Sequence, residues 1–335
     1  MNNKLQVALW GCGGMGWSLA QALLATGEAR LVAAYDTLPE RAAELTGLCG
    51  AEAVGSAEAL LAYPELDGVI IALPPYLHAP AAQQAAEAGV GIFLEKPMAL
   101  TVAACQEINA AVRKAQVPLM VGHVLRYYEP YRTILRWQRE GRIGRPFAAS
   151  IWRFSDANRP ADPTHWRASL AKSGGFIFEV GAHELDMLRC LMGQPQTVAA
   201  VREKALPRPQ EWEDFISLQI RFAGGGAGIY EGGAGSFAPG YGFRLFFPEM
   251  TLVSQAAFDP QALQVYSAGG GSVSLEGEFS TEHPVQAELR DWLKALRGEA
   301  AVPITGEEAM RTVALAEAGL RAAATGEIVP YQVPA

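Results

Sequence analysis

Five short runs in the first ~120 residues are almost entirely apolar, and they constrain the fold more than any other feature. They cover residues 5–10, 31–35, 69–73, 92–94 and 119–121. A strand with no polar face must be covered on both sides, as in a parallel sheet between two layers of helices. Helical patterns separate the runs, at residues 15–26, 39–48, 79–88 and 101–115. Pro74-Pro75 stops the third run, and Pro97 follows the fourth. This alternation predicts an α/β domain with a doubly wound parallel sheet.

After about Tyr131 the texture changes. A helix is expected to Arg139, then strand-like runs at 147–154, 198–202, 215–222, 228–230, 243–247, 251–253, 263–266 and 273–275. One strong helical pattern, 178–192, interrupts them, and two more, 282–297 and 307–324, end the chain. Successive strands with short Gly-rich turns predict an α+β domain on a largely antiparallel or mixed sheet. The chain therefore reads as two domains, 1–122 and 123–335, as 335 residues would suggest.

Composition excludes several classes. Half the residues are hydrophobic and 19% charged, so packed cores are expected and disorder is not. A net charge of −8 without a basic run argues against nucleic acid and anionic membrane as partners. No apolar run approaches the ~20 residues of a membrane span, and the first residues lack the pattern of a secretory signal. Cys12, Cys49, Cys105 and Cys190 are far apart and match no metal-ligand spacing. Free thiols in the cytoplasm are the expectation.

Gly11-Cys12-Gly13-Gly14-Met15-Gly16 fits G-x-G-x-x-G, directly after a predicted strand and at the start of a predicted helix. Asp36 ends the next strand, 20 residues after Gly16. In a dinucleotide site the first glycine permits the tight turn and the second lets backbone approach a pyrophosphate. The third allows close helix–strand packing, and the acid accepts the ribose hydroxyls. The helix N-terminus offers its unpaired N–H groups to the phosphates. Without a ligand the motif is only a Gly-rich turn. A carboxylate at Asp36 repels a 2′-phosphate, which favours NAD over NADP. Arg41 is either a phosphate partner that would oppose this preference or a solvated helix charge.

Glu95-Lys96-Pro97 closes the fourth run, at the carboxyl end of the sheet where doubly wound folds bind ligands. A lysine leaving a buried strand is poorly solvated, which favours a lowered pKa or a specific partner. An ordinary strand-end lysine reaching solvent is the other reading, and the tripeptide leaves both open. In Gly174–Asp186, a helix from about Phe178 would stack Glu179 and His183 at i and i+4, with Asp186 on the same side. A carboxylate one turn from an imidazole can orient it and raise its basicity, or the pair can be a solvent-facing ion pair. As metal ligands these three lack a further His or Cys at suitable spacing, so no metal is expected.

Together these segments resemble the Gfo/Idh/MocA oxidoreductase family, named for glucose-fructose oxidoreductase and inositol dehydrogenase. The resemblance rests on Gly11 to Gly16, on Asp36 with Pro39-Glu40-Arg41-Ala42, and on Ile70-Ile71-Ala72-Leu73-Pro74-Pro75-Tyr76-Leu77-His78. Glu95-Lys96-Pro97, Gly122-His123-Val124-Leu125-Arg126-Tyr127, Trp166-Arg167 and the 174–186 segment complete it. It implies a Rossmann domain and an open-sheet second domain with the active site between them, and homodimers or homotetramers built on the open sheet. It also implies that Lys96 and His183 face the reacting carbon, and that the Lys96–Pro97 bond is cis. Leu73, Pro74, His78, Glu95, Trp166 and Arg167 are then expected at the cofactor, and Arg126 and Tyr127 at the substrate. Glu179 departs from the pattern, since many members have Asp there. Pro75-Tyr76 stand where Asn is common, and His123 where an aromatic is common.

The expected activity is hydride transfer between NAD and a secondary hydroxyl of a sugar, polyol or cyclitol. His183 would be the base, Lys96 would stabilise the alkoxide, and Glu179 would orient His183 or hold a neighbouring hydroxyl. The rival readings are an NAD-dependent glycosidase or lyase working through transient oxidation, and a non-catalytic dinucleotide sensor.

Overall fold

The computed structural model describes residues 4–158, 162–270, 275 and 277–333. The first strands are β1 (Leu5–Trp10), β2 (Ala29–Tyr35), β3 (Glu52–Ala53), β4 (Gly68–Ile71), β5 (Gly91–Glu95) and β6 (Leu119–Gly122). They form one sheet in the order β3-β2-β1-β4-β5-β6, with every pairing parallel. The connecting helices are α1 (Gly14–Thr26), α2 (Pro39–Cys49), α3 (Ala57–Leu61), α4 (His78–Glu87) and α5 (Val102–Ala115). Val69, Ile70, Ile71, Ile92, Phe93 and Leu94 are all 0% exposed. Both faces of β4 and β5 are therefore covered, as their composition requires, and each large side chain buried this way contributes about 1.5–3 kcal/mol.

The later elements begin with α6 (Tyr131–Arg139), β7 (Ala148–Asp156), α7 (Leu170–Ser173), α8 (Phe176–Glu179) and α9 (Ala182–Met192). Strands β8 (Pro195–Glu203), β9 (Phe215–Phe222), β10 (Ala227–Ser236), β11 (Gly240–Phe246), β12 (Met250–Ser254) and β13 (Gln264–Ser267) follow. Helices α10 (Pro284–Leu296) and α11 (Gly306–Thr325) and strand β14 (Val329–Pro330) complete the order. The second sheet runs β13-β12-β11-β7-β10-β9-β8-β14 and is antiparallel except where β7 meets β10. One face is fully buried at Ile151, Leu218, Tyr230 and Phe243, with α9 packed on β7 and β10. Alternate positions such as Gln219, Ile229 and Arg244 point the other way and are exposed.

The chain does not divide at a single point near 122. One unit comprises the residues up to Val124 together with Glu282–Met310, and the other comprises Leu125–Thr281 and the chain from Arg311. The return of α10 to the first sheet has a local cause. Bare backbone at the starts of β4 and β5 leaves room for Trp292 and Leu296, and a β-carbon at Gly68 would lie 2.8 Å from the Trp292 ring. Trp292 packs edge-on against Phe93, with ring centroids 5.7 Å apart.

One other expectation changes. The pattern over 178–192 is two helices, α8 and α9, separated at Val180-Gly181. The short β3 and α3 have no counterpart in the sequence reading. The strand expected at 273–275 lies, apart from Leu275, outside the described residues.

Candidate active site

In the first unit the sites read from the sequence line the carboxyl edge of one sheet. The turn after β1 begins at Gly11, whose φ is +97° and whose β-carbon, if present, would lie 2.6 Å from the Ala72 carbonyl oxygen. A β-carbon at Gly16 would run into the Gly11 carbonyl. Gly13 and Gly14 face open space, with nothing within 4 Å of a β-carbon. Gly13 caps α1, and neither a capping side chain nor an acid occupies the first turn. This is a cradle that side chains would fill, beside N–H groups aimed at an anion. Cys12 lies beneath it, buried, with Met15 on its exposed side. Burial, and then the Asp36 carboxylate, push the Cys12 thiol up to about 12, so it stays protonated and unreactive.

Asp36 accepts the Cys12 N–H at 2.8 Å and the Leu38 N–H at 2.9 Å, one on each oxygen. Each oxygen keeps acceptor capacity for a ribose hydroxyl. Arg41 is exposed near the start of α2. The residues present fit a dinucleotide.

Leu73 and Pro74 follow β4 and are half-buried, and Lys96 follows β5. The Lys96–Pro97 bond is cis, as is Glu129–Pro130. Glu95, 8% exposed, turns back so that its Oε2 accepts the Lys96 N–H at 3.1 Å. His78 takes a different task from the one expected. It is fully buried, and its Nδ1 and Nε2 each lie 2.8 Å from a backbone carbonyl oxygen, of Pro97 and Leu73 respectively. Its ring ties the loop after β4 to the corner that carries Lys96.

In the second unit Glu179 ends α8, 9% exposed, and His183 is half-buried in the first turn of α9. With the break at Val180-Gly181 the pair does not share one regular helix. Glu179 meets Arg167, whose Nε donates to its Oε1 at 3.0 Å. Arg167 stacks over Trp166, with Cζ 4.4 Å from the ring centroid. Trp166 and Arg167 are thus brought to Glu179.

Arg126, expected at the substrate, pairs with a buried carboxylate. Its Nε and Nη2 grip both oxygens of fully buried Asp186, at 2.7 and 2.6 Å. Asp186 also accepts Thr312 Oγ1 at 3.0 Å, and Arg189 lies 3.5 Å away. A carboxylate held this way is a structural anchor. Tyr127 stands half-buried in the turn after Arg126. Two residues that the sequence reading did not single out touch the Glu179 segment: Glu213 and Tyr230.

Comparison with known proteins identifies the family. Residues 5–123 match the profile described as "Oxidoreductase family, NAD-binding Rossmann fold", and residues 131–252 match the GFO/IDH/MocA C-terminal domain. The chain belongs to the Gfo/Idh/MocA oxidoreductase family. Among relatives of this family, the 1,5-anhydro-D-fructose reductase of Ensifer adhaerens is 27% identical over 310 residues, covering 91% of this chain and 92% of that one. The inositol 2-dehydrogenase of Rhizobium meliloti (strain 1021) is 26% identical over 329 residues, 96% and 97% of the two chains. Levoglucosan dehydrogenase, solved with NADH and levoglucosan, shares the fold at a TM-score of 0.90 and 24% identity, covering 99% of this chain and 100% of that one. The Gfo/Idh/MocA assignment makes this chain an oxidoreductase with an NAD-binding Rossmann domain.

Proposed function

We propose that the protein is an NAD-dependent dehydrogenase or reductase acting on a secondary hydroxyl of a sugar, polyol or cyclitol. The observation that carries this is the placing of Lys96. It leaves β5 on the sheet edge that also carries the Gly11–Gly16 turn and Asp36, so a cation lies where a dinucleotide's reactive ring would be. When bound, the nicotinamide supplies the hydride acceptor. His183 takes the hydroxyl proton as general base. The Lys96 ammonium stabilises the charge that develops on that oxygen, an interaction strongest in the transition state. Glu179, paired with Arg167, accepts from a neighbouring hydroxyl or orients His183.

A panel of sugars, polyols and cyclitols with NAD and with NADP tests the reading, followed by absorbance of the reduced cofactor. Net accumulation of NADH is expected. Turnover of a glycoside without accumulation would point to the lyase or glycosidase chemistry, and binding without turnover to a sensor.

Asp36 sets the cofactor preference in this proposal. Asp36→Ser removes a charge-assisted acceptor of about 1.5–3 kcal/mol, so NAD should weaken roughly ten-fold or more. Rejection of NADP should ease at the same time. A wild type with higher kcat/KM for NADP than for NAD would give the preference to Arg41 instead.

We also infer a homodimer or homotetramer in the cytoplasm. On the open side of the second sheet, Val201, Ile229 and Tyr266 are 60, 38 and 57% exposed, amid small and polar neighbours. A second copy of the chain would cover them. Light scattering that returned a monomer at micromolar concentration would remove this part. The four cysteines are unbridged, as suits a reducing compartment, and no helix among the described residues is long and apolar enough to cross a membrane.

A further inference from the structure

Helix α8 is only four residues long, and a helix that short does not hold itself. Something else must fix Glu179 at its end. We propose that Glu213 and Tyr230 are positioning residues that clamp the two ends of α8 and thereby set the place of the Glu179 carboxylate. The proposal rests on the reading that Glu179 faces the substrate.

At the N-terminal end, Glu213 Oε2 accepts the Phe176 N–H at 2.8 Å. Gly174 and Gly175 have φ of +74° and +83°, a conformation that leads the chain sharply into α8. A β-carbon at Gly175 would lie 2.7 Å from Glu213 Oε2, so the carboxylate sits directly against the turn. The neighbouring Trp212 reinforces it. Its Nε1 donates to Ser173 Oγ at 3.0 Å, and its ring meets Phe176 edge-on at 5.8 Å.

The C-terminal end is blocked from below. The Val180 and Gly181 N–H groups both donate to the Phe176 carbonyl oxygen at 2.9 Å, closing the turn after Glu179. A β-carbon at Gly181 would lie 2.6 Å from Tyr230 Oη, and one at Gly232 would meet the same hydroxyl. The phenol thus fills the gap left by two glycines, directly under the break between α8 and α9. Glu213 and Tyr230 are themselves fixed. Tyr230 lies in β10, paired with Leu218 of β9, and the Glu213 carbonyl oxygen accepts the Ala234 N–H at 3.0 Å.

Stability alone does not explain these two groups. They are 4 and 0% exposed, and among the described residues Glu213 Oε1 and Tyr230 Oη have no hydrogen-bond partner. Burial pushes the Glu213 carboxyl above its ordinary value. Buried polar atoms left unsatisfied in this way cost stability, and a hydrophobic residue would avoid that cost. What an apolar residue could not supply is the acceptor for Phe176 or the hydroxyl that props Gly181.

The test uses the full-length protein and reads position separately from activity. Glu213→Leu should speed hydrogen–deuterium exchange in the 174–181 segment by roughly ten-fold or more. It should also lower kcat by roughly 10- to 100-fold, the scale of a small misplacement, with NADH affinity unchanged. Glu213→Gln keeps an acceptor oxygen and should restore both to near wild type. Tyr230→Phe breaks no hydrogen bond, so Tm should hold or rise while kcat falls by roughly five-fold or more. If Glu213→Leu fails to fold, Tyr230→Phe carries the test. Glu213→Leu combined with Glu179→Gln should be no worse than Glu179→Gln alone, because both act through one carboxylate. Wild-type exchange and kcat in Glu213→Leu and Tyr230→Phe would overturn the proposal, as would effects that multiply in the double variant. If the wild type oxidises nothing in the panel, the proposed function fails, and the exchange data still decide the clamp.

Discussion

Lys96→Met is expected to lower kcat by roughly two to three orders of magnitude, as for loss of one oxyanion donor, while NAD affinity stays within a few-fold of wild type. The local structure makes this substitution informative. The corner that carries Lys96 is held by its backbone, through the Lys96 N–H on Glu95 and the Pro97 carbonyl oxygen beside His78. None of those contacts involves the ammonium. Methionine keeps most of the stem volume and removes the charge, so the corner should stay where it is. The interaction lost strengthens as the substrate oxygen becomes an alkoxide, so the loss should appear in kcat rather than KM. Lys96→Arg should not rescue activity, because a planar fork does not fit where a compact charge was placed. A pre-steady-state hydride-transfer rate measured beside a cofactor titration decides the matter. Equal loss of NAD binding would make Lys96 structural, and an unaffected rate would move the chemistry elsewhere.

The two sheets differ in how far they were legible from the residues. Strands such as 69–73 and 92–94 announce themselves because being apolar on both faces leaves only a covered parallel sheet. The Gly11–Gly16 turn and Asp36 are legible because the same spacing serves the backbone and the ligand. The break at Val180-Gly181 was hidden, since the apolar period of Phe178, Leu185, Leu188 and Leu191 runs through it. Tyr230, distant in sequence, lies where a β-carbon at Gly181 would point. Partners far apart in the chain were equally invisible. Spacing says nothing of Arg126 reaching Asp186 or Arg167 reaching Glu179, and each pairing changes what its members do. The segment of His78 resembles a cofactor loop, which points to a ligand contact. Only the carbonyls on both sides of its ring show that it ties two loops together. The return of α10 had a faint signal in Gly68 and Gly91, whose bare backbone at two strand starts implies a large neighbour.

His183→Ala should cost roughly 10²-fold or more in kcat at neutral pH while NAD still binds, within the usual range for loss of a general base. The histidine stands in the first turn of α9, with its N–H on the Val180 carbonyl oxygen at 3.2 Å. Alanine is the strongest helix former, and the half-buried ring leaves no sealed core cavity when removed. Folding should therefore survive, and lost activity will report chemistry. The pH dependence carries the discriminating sign. A base must be neutral to accept a proton, so wild-type oxidation should rise with pH as the imidazole loses its proton. In the opposite direction, reduction, the same group must be protonated and the limb should invert. His183→Ala should flatten both limbs, leaving a slow rate set by water or hydroxide. Added imidazole should restore part of the rate, because the space vacated matches the missing base. An unchanged pH profile with kcat within about threefold of wild type would remove His183 from the mechanism and leave Glu179, which Arg167 meets, as the remaining candidate in that segment.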